Sequence, residues 1–367
     1  MKNDDELLCF IALTQVPQIG SIQSRILLEH LGTASEIFRA KKSILEKIPG
    51  IGSIRADNIS HFKDFRRAEK EILFIEKFRI RPLLFYDDDF PKRLKQCADP
   101  PVMLYYKGSA DLNMSRVISI VGTRKQTEYG RSLVEHYVEA WRDLGVLIVS
   151  GLAYGIDQLA HRHSLSAGIP TVGVLASGLD IIYPSSHTSM AREMVLHGGL
   201  ITEFISGTQP DKQNFPRRNR IVAGMCDAVL VIETDIKGGS MITAEIAAGY
   251  DREVFAIPGK ITDKKSAGCN TLIRDNKARL TLDPADVIEF MNWDIKKDPA
   301  RQQVILPELD DDATVLLNLL QTEGAIHVDR LFSLSGIRRS SFHNALLNLE
   351  LVGIAKQLPG KYYTLKP

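Results

Sequence analysis

At 367 residues the chain is too long for one ordinary domain and suggests two or three. A hydrophobic fraction of 44% and a charged fraction of 25% fit a globular protein rather than a disordered or fibrous one. The formal net charge of +1 excludes a uniformly basic coat for nucleic acid, so any polyanion binding must come from local clusters.

Met1 to Glu6 is acidic and lacks the basic and apolar regions of a secretory leader. No apolar run approaches the ~20 residues of a membrane span, so a cytoplasmic protein without a membrane partner is expected. Cys9, Cys97, Cys226 and Cys269 show no C-x-x-C spacing, which points to reduced thiols and no metal site.

Residues 1–80 carry helical periodicity. Val16-Pro17-Gln18-Ile19-Gly20 and Ile48-Pro49-Gly50-Ile51-Gly52 form an internal repeat, each followed by a helical pattern, Ser24 to Leu31 and Ile54 to Phe62. A tight Pro/Gly turn at a helix N-terminus can present backbone N–H groups to a phosphate. The pattern is that of a tandem helix-hairpin-helix unit. With no basic residue inside either turn, phosphate binding and simple bundle closure remain equal readings.

Residues 81–293 alternate apolar runs with amphipathic stretches. The runs are Val117–Val121, Val146–Val149, Thr171–Leu175, Leu200–Glu203, Ala228–Ile232 and Val254–Ile257. Near-continuous apolar strands imply a parallel sheet covered on both faces, an extended Rossmann-like, doubly wound α/β domain. Its ligands are expected at the carboxyl ends of the strands. A polar linker over 294–312 follows. Residues 313–367 read as a winged helix, with helices Thr314–Gln321, Val328–Leu334 and Arg339–Leu351 and a wing around Pro359-Gly360. Groove reading through Arg338, Arg339 and His343 and a protein-contact role both fit it.

Four loops follow apolar strands: Gly122-Thr123-Arg124, Ser150 to Asp157 with Gly151 and Gly155, Ser177 to Pro184, and Lys237-Gly238-Gly239-Ser240. Glycine lets backbone approach an anion, and the next helix adds free N–H groups and a positive dipole end. No G-x-G-x-x-G follows the first strand and no Walker A sequence occurs, so no nucleotide cofactor is expected. Asn214-Phe215-Pro216-Arg217-Arg218-Asn219-Arg220 adds three guanidinium forks suited to phosphate, of which Arg220 is expected to be structural.

These motifs, with Gly239-Ser240-Met241-Ile242-Thr243-Ala244 and Val254-Phe255-Ala256-Ile257-Pro258-Gly259, closely resemble the DNA-processing protein A family in order and spacing. The resemblance implies a dimeric protein of natural transformation, without established catalysis, that binds incoming single-stranded DNA and helps load the RecA recombinase. It implies a phosphate pocket at Gly122, Thr123, Arg124, Ser150, Gly151, Asn219, Lys237 and Gly239. Ser185 and Ser186 stand where some members carry a lysine, a contact that Lys212 and His187 could rebuild. Asn276-Lys277-Ala278 replaces a Gly-Ala, so Lys277 adds a basic contact or the loop is longer.

In the mechanism expected from these residues, Arg124 and Lys237 neutralise successive phosphates and Arg217 or Arg218 extends the track. Phe215 and Tyr154 are candidate stacking surfaces, with core packing favoured for Phe215. The enzymatic alternative is a nucleotide phosphoribohydrolase with Glu245 catalytic, because Lys237 to Glu245 shares part of the P-G-G-x-G-T-x-x-E signature. Glu245 equally suits the dipole of its own helix. His161 and His163 are the candidate general acid–base groups, but no nucleophile or metal partner accompanies them, which favours packing roles.

Overall fold

A computed structural model describes residues 4–293, 310–351, 354–358 and 360–365. Most of the expected linker and Pro359 of the expected wing lie outside them. The chain divides into two compact units, Met1–Trp293 and Asp294–Pro367.

The first unit is built on nine strands: β1 (Arg81–Leu84), β2 (Met103–Gly108), β3 (Arg116–Val121), β4 (Val146–Ser150), β5 (Thr171–Val174), β6 (Gly198–Thr202), β7 (Ala228–Val231), β8 (Glu253–Ala256) and β9 (Arg279–Leu280). They lie in the order β1-β2-β6-β5-β4-β3-β7-β8-β9. Pairing is parallel from β6 across to β9, and β2 and β1 extend the sheet antiparallel at one edge. The six expected strands are β3 to β8 of this parallel region; β9, with two residues, extends it, and the antiparallel β1 and β2 come in addition.

Alternation along each strand builds two cores. Val117, Val121, Leu147, Val149, Val229 and Val231 face one way, under the helices Asn214–Gly224 and Gly239–Gly249. Ile118, Ile120, Ile148 and Leu230 face the other, against Tyr137 of the helix Glu128–Ala140, Trp141 at that helix's C-cap, and Ile156 of the helix Ile156–Ala167. β3 is the switch point, paired to β4 on one side and β7 on the other. The loops after these strands therefore open a crevice, as in other doubly wound sheets.

The N-terminal helices do not close a core by themselves. Leu84, Val102, Met103 and Tyr105, in or beside β1 and β2, complete their apolar cluster. The buried carboxylate of Glu71 adds a polar tie, accepting from the Ser206 backbone N–H at 3.0 Å and pairing with Arg67 at 2.9 Å. The two hairpins are cross-linked: Arg55 donates to the carbonyls of Gln18 (3.1 Å) and Gly50 (2.7 Å), and Asn58 to that of Pro17 (2.9 Å).

The second unit is a winged helix. Its helices Asp311–Glu323, Val328–Ser335 and Arg339–Leu351 enclose Leu316, Leu320, Leu331, Phe342 and Leu349. Its strands β10 (Ile326–His327), β11 (Ala355–Leu358) and β12 (Tyr362–Leu365) pair antiparallel in the order β10-β12-β11. Among the described residues no helix is long and apolar enough to cross a membrane. The four cysteines are free thiols, three of them buried.

Candidate nucleic-acid interface

The loops after β3, β4 and β7 are stitched together through Thr123. Its N–H donates to the Glu233 carbonyl at 2.7 Å, and its carbonyl accepts from Ile156 N–H at 3.1 Å. The close approach requires Gly155, which sits at φ +83 with the Thr123 carbonyl where a Cβ would be. Gly151 is equally constrained, because a Cβ there would lie inside the Arg218 guanidinium. The loop after β8 joins through Thr234, whose N–H donates to the Lys265 carbonyl at 2.7 Å.

Together these loops and the helix Asn214–Gly224 enclose a cleft of about 780 Å³. Of the expected residues, Gly122, Thr123, Arg124, Gly151, Arg218, Asn219, Gly238, Gly239 and Ser240 line it. The helix Gly239–Gly249 points its N-terminus into the cleft with no capping side chain, and a Cβ at Gly239 would meet nothing within 4 Å. That leaves backbone N–H groups and the positive end of the dipole for an anion. Asn219 makes no side-chain hydrogen bond among the described residues, so its amide is also available.

Six cationic side chains line the cleft, Arg124, Lys125, Lys212, Arg218, Lys264 and Lys265, against two acids, Asp157 and Asp235. None of these cations has an ion-pair partner among the described residues; Asp157 and Arg218 influence each other only through longer-range attraction. A nearly neutral chain thus concentrates positive charge at one place. Lys125, Lys264 and Lys265 were not singled out in the sequence. Lys264-Lys265 directly follows the carboxyl-end loop of β8, and that position was the available signal.

Other expected residues have different surroundings. Arg218 is buried beneath the cleft, donating to the carbonyls of Gly151 and, at 2.8 Å, Val174. Desolvation pushes its pKa down to about 10. Burial likewise pushes the Asp157 carboxyl up, opposed by Arg218 and by backbone donors including Gly151 N–H at 3.1 Å. Arg218 therefore holds the loops after β4 and β5 from within. Ser150 is buried, its hydroxyl donating to the Ile120 carbonyl at 2.6 Å. Arg217 points away from the cleft, 3.4 Å from Glu203 and over the Phe204 ring. Lys237 is exposed on its loop outside the lining. Arg220 is structural as expected, paired with Glu203.

Phe215 is half-buried rather than in the core. It lines a narrow recess beside the cleft with Tyr154, Tyr183 and Arg124, whose guanidinium lies 5.1 Å from its ring centroid. The Ser177–Pro184 loop contributes to this recess and not to the cleft. Lys212 lines the cleft, whereas His187 is buried with Nδ1 3.0 Å from the Leu152 carbonyl. Lys277 pairs with Glu245 at 3.0 Å, both half-exposed and outside the cleft lining. His161 is fully buried against the Thr171 hydroxyl at 2.7 Å, and burial pushes its pKa down to about 3.

The family model for DNA recombination-mediator protein A matches residues 81–292, more than half of the chain. The chain belongs to the DNA recombination-mediator protein A family. The model of the DprA winged helix domain matches residues 299–361. The DNA processing protein DprA of Streptococcus pneumoniae is 40% identical over 202 residues, 55% of this chain and 71% of that protein. Its X-ray structure superposes with a TM-score of 0.68 at 31% identity, covering 77% of this chain and 97% of the other. A structure of DNA processing protein A from Helicobacter pylori, described for its single-stranded DNA binding mode, superposes with a TM-score of 0.53 at 28% identity. It covers 59% of this chain and 96% of its own.

Proposed function

We propose that this member of the recombination-mediator family binds single-stranded DNA by its phosphates in the cleft at the carboxyl end of the sheet. The observation that carries the reading is the convergence of the uncapped Gly239–Gly249 helix with Arg124, Lys125, Lys212, Lys264 and Lys265 on one crevice. Arg124, Lys264 and Lys265 neutralise the phosphates, Gly122, Gly239 and Ser240 offer backbone donors, Thr123 offers its hydroxyl, and Lys237 steers from the rim. Phe215 and Tyr154 give a base a face on which to stack, worth about 1–3 kcal/mol per base. A stiff duplex cannot lower its phosphates into a recessed floor, so single strands are favoured. The binding mode described for the Helicobacter pylori neighbour supports the same reading.

In the cell we infer a cytoplasmic homodimer that holds incoming strands and hands them to the RecA recombinase during transformation, with no cofactor and no reaction of its own. The ion pair that ties Glu245 to Lys277 outside the cleft lining disfavours the phosphoribohydrolase alternative.

Fluorescence anisotropy of labelled single strands and duplexes of equal length tests the proposal. Single strands should bind more tightly, and Arg124→Glu and Lys264→Glu should each weaken them at least tenfold. Unchanged affinity in both variants overturns it.

A further inference from the structure

None of the residues lining the cleft comes from the N-terminal helical region, yet a carboxylate of that region is tied to the segment that leads into it. In the helix Arg66–Phe78 the buried residues are Ala68, Glu71 and Ile75, a spacing that puts them on one face. Glu71 therefore occupies an apolar face at 1% exposure, where a carboxylate is costly unless its oxygens are paired.

Its partner lies in the loop after β6. Ser206 donates its N–H to Oε1 at 3.0 Å and its hydroxyl to Oε2 at 2.5 Å. Arg67, one turn earlier in the helix, pairs with Oε2 at 2.9 Å and donates from Nη2 to the Ser206 carbonyl. The N–H, hydroxyl and carbonyl of Ser206 are thus all held by two residues 135 and 139 positions away in the chain.

The next residues are fixed to the loop after β5. Gly207, at φ +76, donates its N–H to Asp180 at 2.9 Å, and the Thr208 carbonyl accepts from Gly178 N–H at 3.1 Å. A Cβ at Gly178 would fall on the Ile205 carbonyl and the Ser206 Cα, so the two loops touch directly. Beyond Thr208 the chain brings Pro210 to the recess and Lys212 to the cleft before the helix Asn214–Gly224 begins. Residues 203–213 belong to no helix or strand, so tertiary anchors set their course. An ammonium group already held at the cleft need not be ordered when a phosphate arrives, which raises affinity.

We propose that Glu71 is a positioning residue for strand binding: by holding Ser206 it sets the course of residues 207–213 and keeps Lys212 at the cleft. The proposal rests on the reading of the cleft as a single-strand site. It gives the helical region a part in affinity without contact with the strand.

A double-mutant cycle on the full chain tests it, with anisotropy of a labelled oligodeoxythymidine of about eighteen nucleotides, longer than a typical single-strand site. Denaturant unfolding of the same proteins reports their stability. Glu71→Leu puts an apolar side chain on an apolar face, and Arg67, 33% exposed, can turn to solvent, so the fold should hold while Ser206 is released. Lys212→Ala alone should weaken binding about five- to tenfold, the value of one charge-assisted contact, and lower the salt slope by about 0.7. Glu71→Leu should do the same, and the double variant should bind no more weakly than either, because both changes remove one contact. Glu71→Gln keeps an acceptor for the Ser206 N–H and should recover most of the affinity. Ser206→Gly, which removes only the hydroxyl, should repeat the coupling to Lys212 in weaker form and decides the matter if Glu71→Leu does not fold. Wild-type affinity in folded Glu71→Leu, or an undiminished cost of Lys212→Ala in that background, overturns the positioning role. A wild-type protein that does not bind the strand, or a Lys212→Ala protein that binds it as well as the wild type, would instead overturn the reading of the cleft or of Lys212 within it, and this inference with it.

Discussion

The guanidinium of Arg218 donates to the carbonyl of Gly151, in a space that a Cβ at position 151 would fill. One buried cation thereby sets how close the loop after β4 comes to the helix Asn214–Gly224, and Asp157 beside it supplies the compensating charge. The cleft floor is held by a buried guanidinium whose hydrogen bonds go to backbone carbonyls, so floor and ligand contacts can be separated experimentally.

Removing Arg218 should act on stability first. Arg218→Ala leaves the buried carbonyls of Gly151 and Val174 without their donor, at about 1–3 kcal/mol for a buried unpaired group, and removes the cation whose attraction offsets the burial of Asp157. Denaturant unfolding should show this loss, whereas Arg124→Ala, at an exposed and unpaired position, should unfold like the wild type. An Arg218→Ala protein of unaltered stability and weakened DNA binding would make Arg218 a direct contact.

Gly155 should not tolerate a side chain. At φ +83, with the Thr123 carbonyl in the Cβ position, Gly155→Ala forces the loops after β3 and β4 apart. The backbone strain alone is about 1–3 kcal/mol. Thermal melting should fall, and single-strand affinity should fall in the protein that remains folded. Retention of both would mean that the two loops need not touch.

Binding should weaken with salt in proportion to the phosphates neutralised. The slope of log K against log salt should be shallower by about 0.7 for each of Arg124→Ala and Lys264→Ala. A slope indifferent to both would remove these side chains from the phosphate track.

His161 should make the fold acid-sensitive. Burial lowers its folded pKa from 6.5 to about 3, so below pH 6.5 the unfolded chain takes up a proton that the folded chain refuses. Its contribution is fully present above pH 6.5 and is lost as pH falls towards 3, by about 1.4 kcal/mol per pH unit inside that window. His161→Gln should lessen the fall in stability between pH 6.5 and 4.5. Parallel pH profiles for the two proteins would place the sensitivity elsewhere.

Much of this molecule was legible because the signals are local. The strands β3 to β8 are near-continuous apolar runs, each followed by a turn sequence and a helix, and two-sided burial demands that pattern. Pro and Gly at fixed offsets likewise located both hairpins. β1 and β2 were missed because their pairing is antiparallel at a sheet edge, and β2 follows Pro100-Pro101 without alternation. The closure of the helical region onto Leu84, Val102, Met103 and Tyr105 was equally hidden, because it joins segments with no periodicity in common.

Local residue order was enough to place glycine in the loops at the carboxyl edge of the sheet, because turn chemistry and the alternation of strand and helix are written in neighbouring residues. Only the tertiary structure decided what each arginine of the 217–220 run does. One helical turn carries side chains to different faces, so Arg218 enters the floor, Arg220 pairs with Glu203, and Arg217 reaches over Phe204. It also brought Lys264 and Lys265 beside Arg124, some 140 residues away in the chain, by laying β8 next to β7 and β7 next to β3.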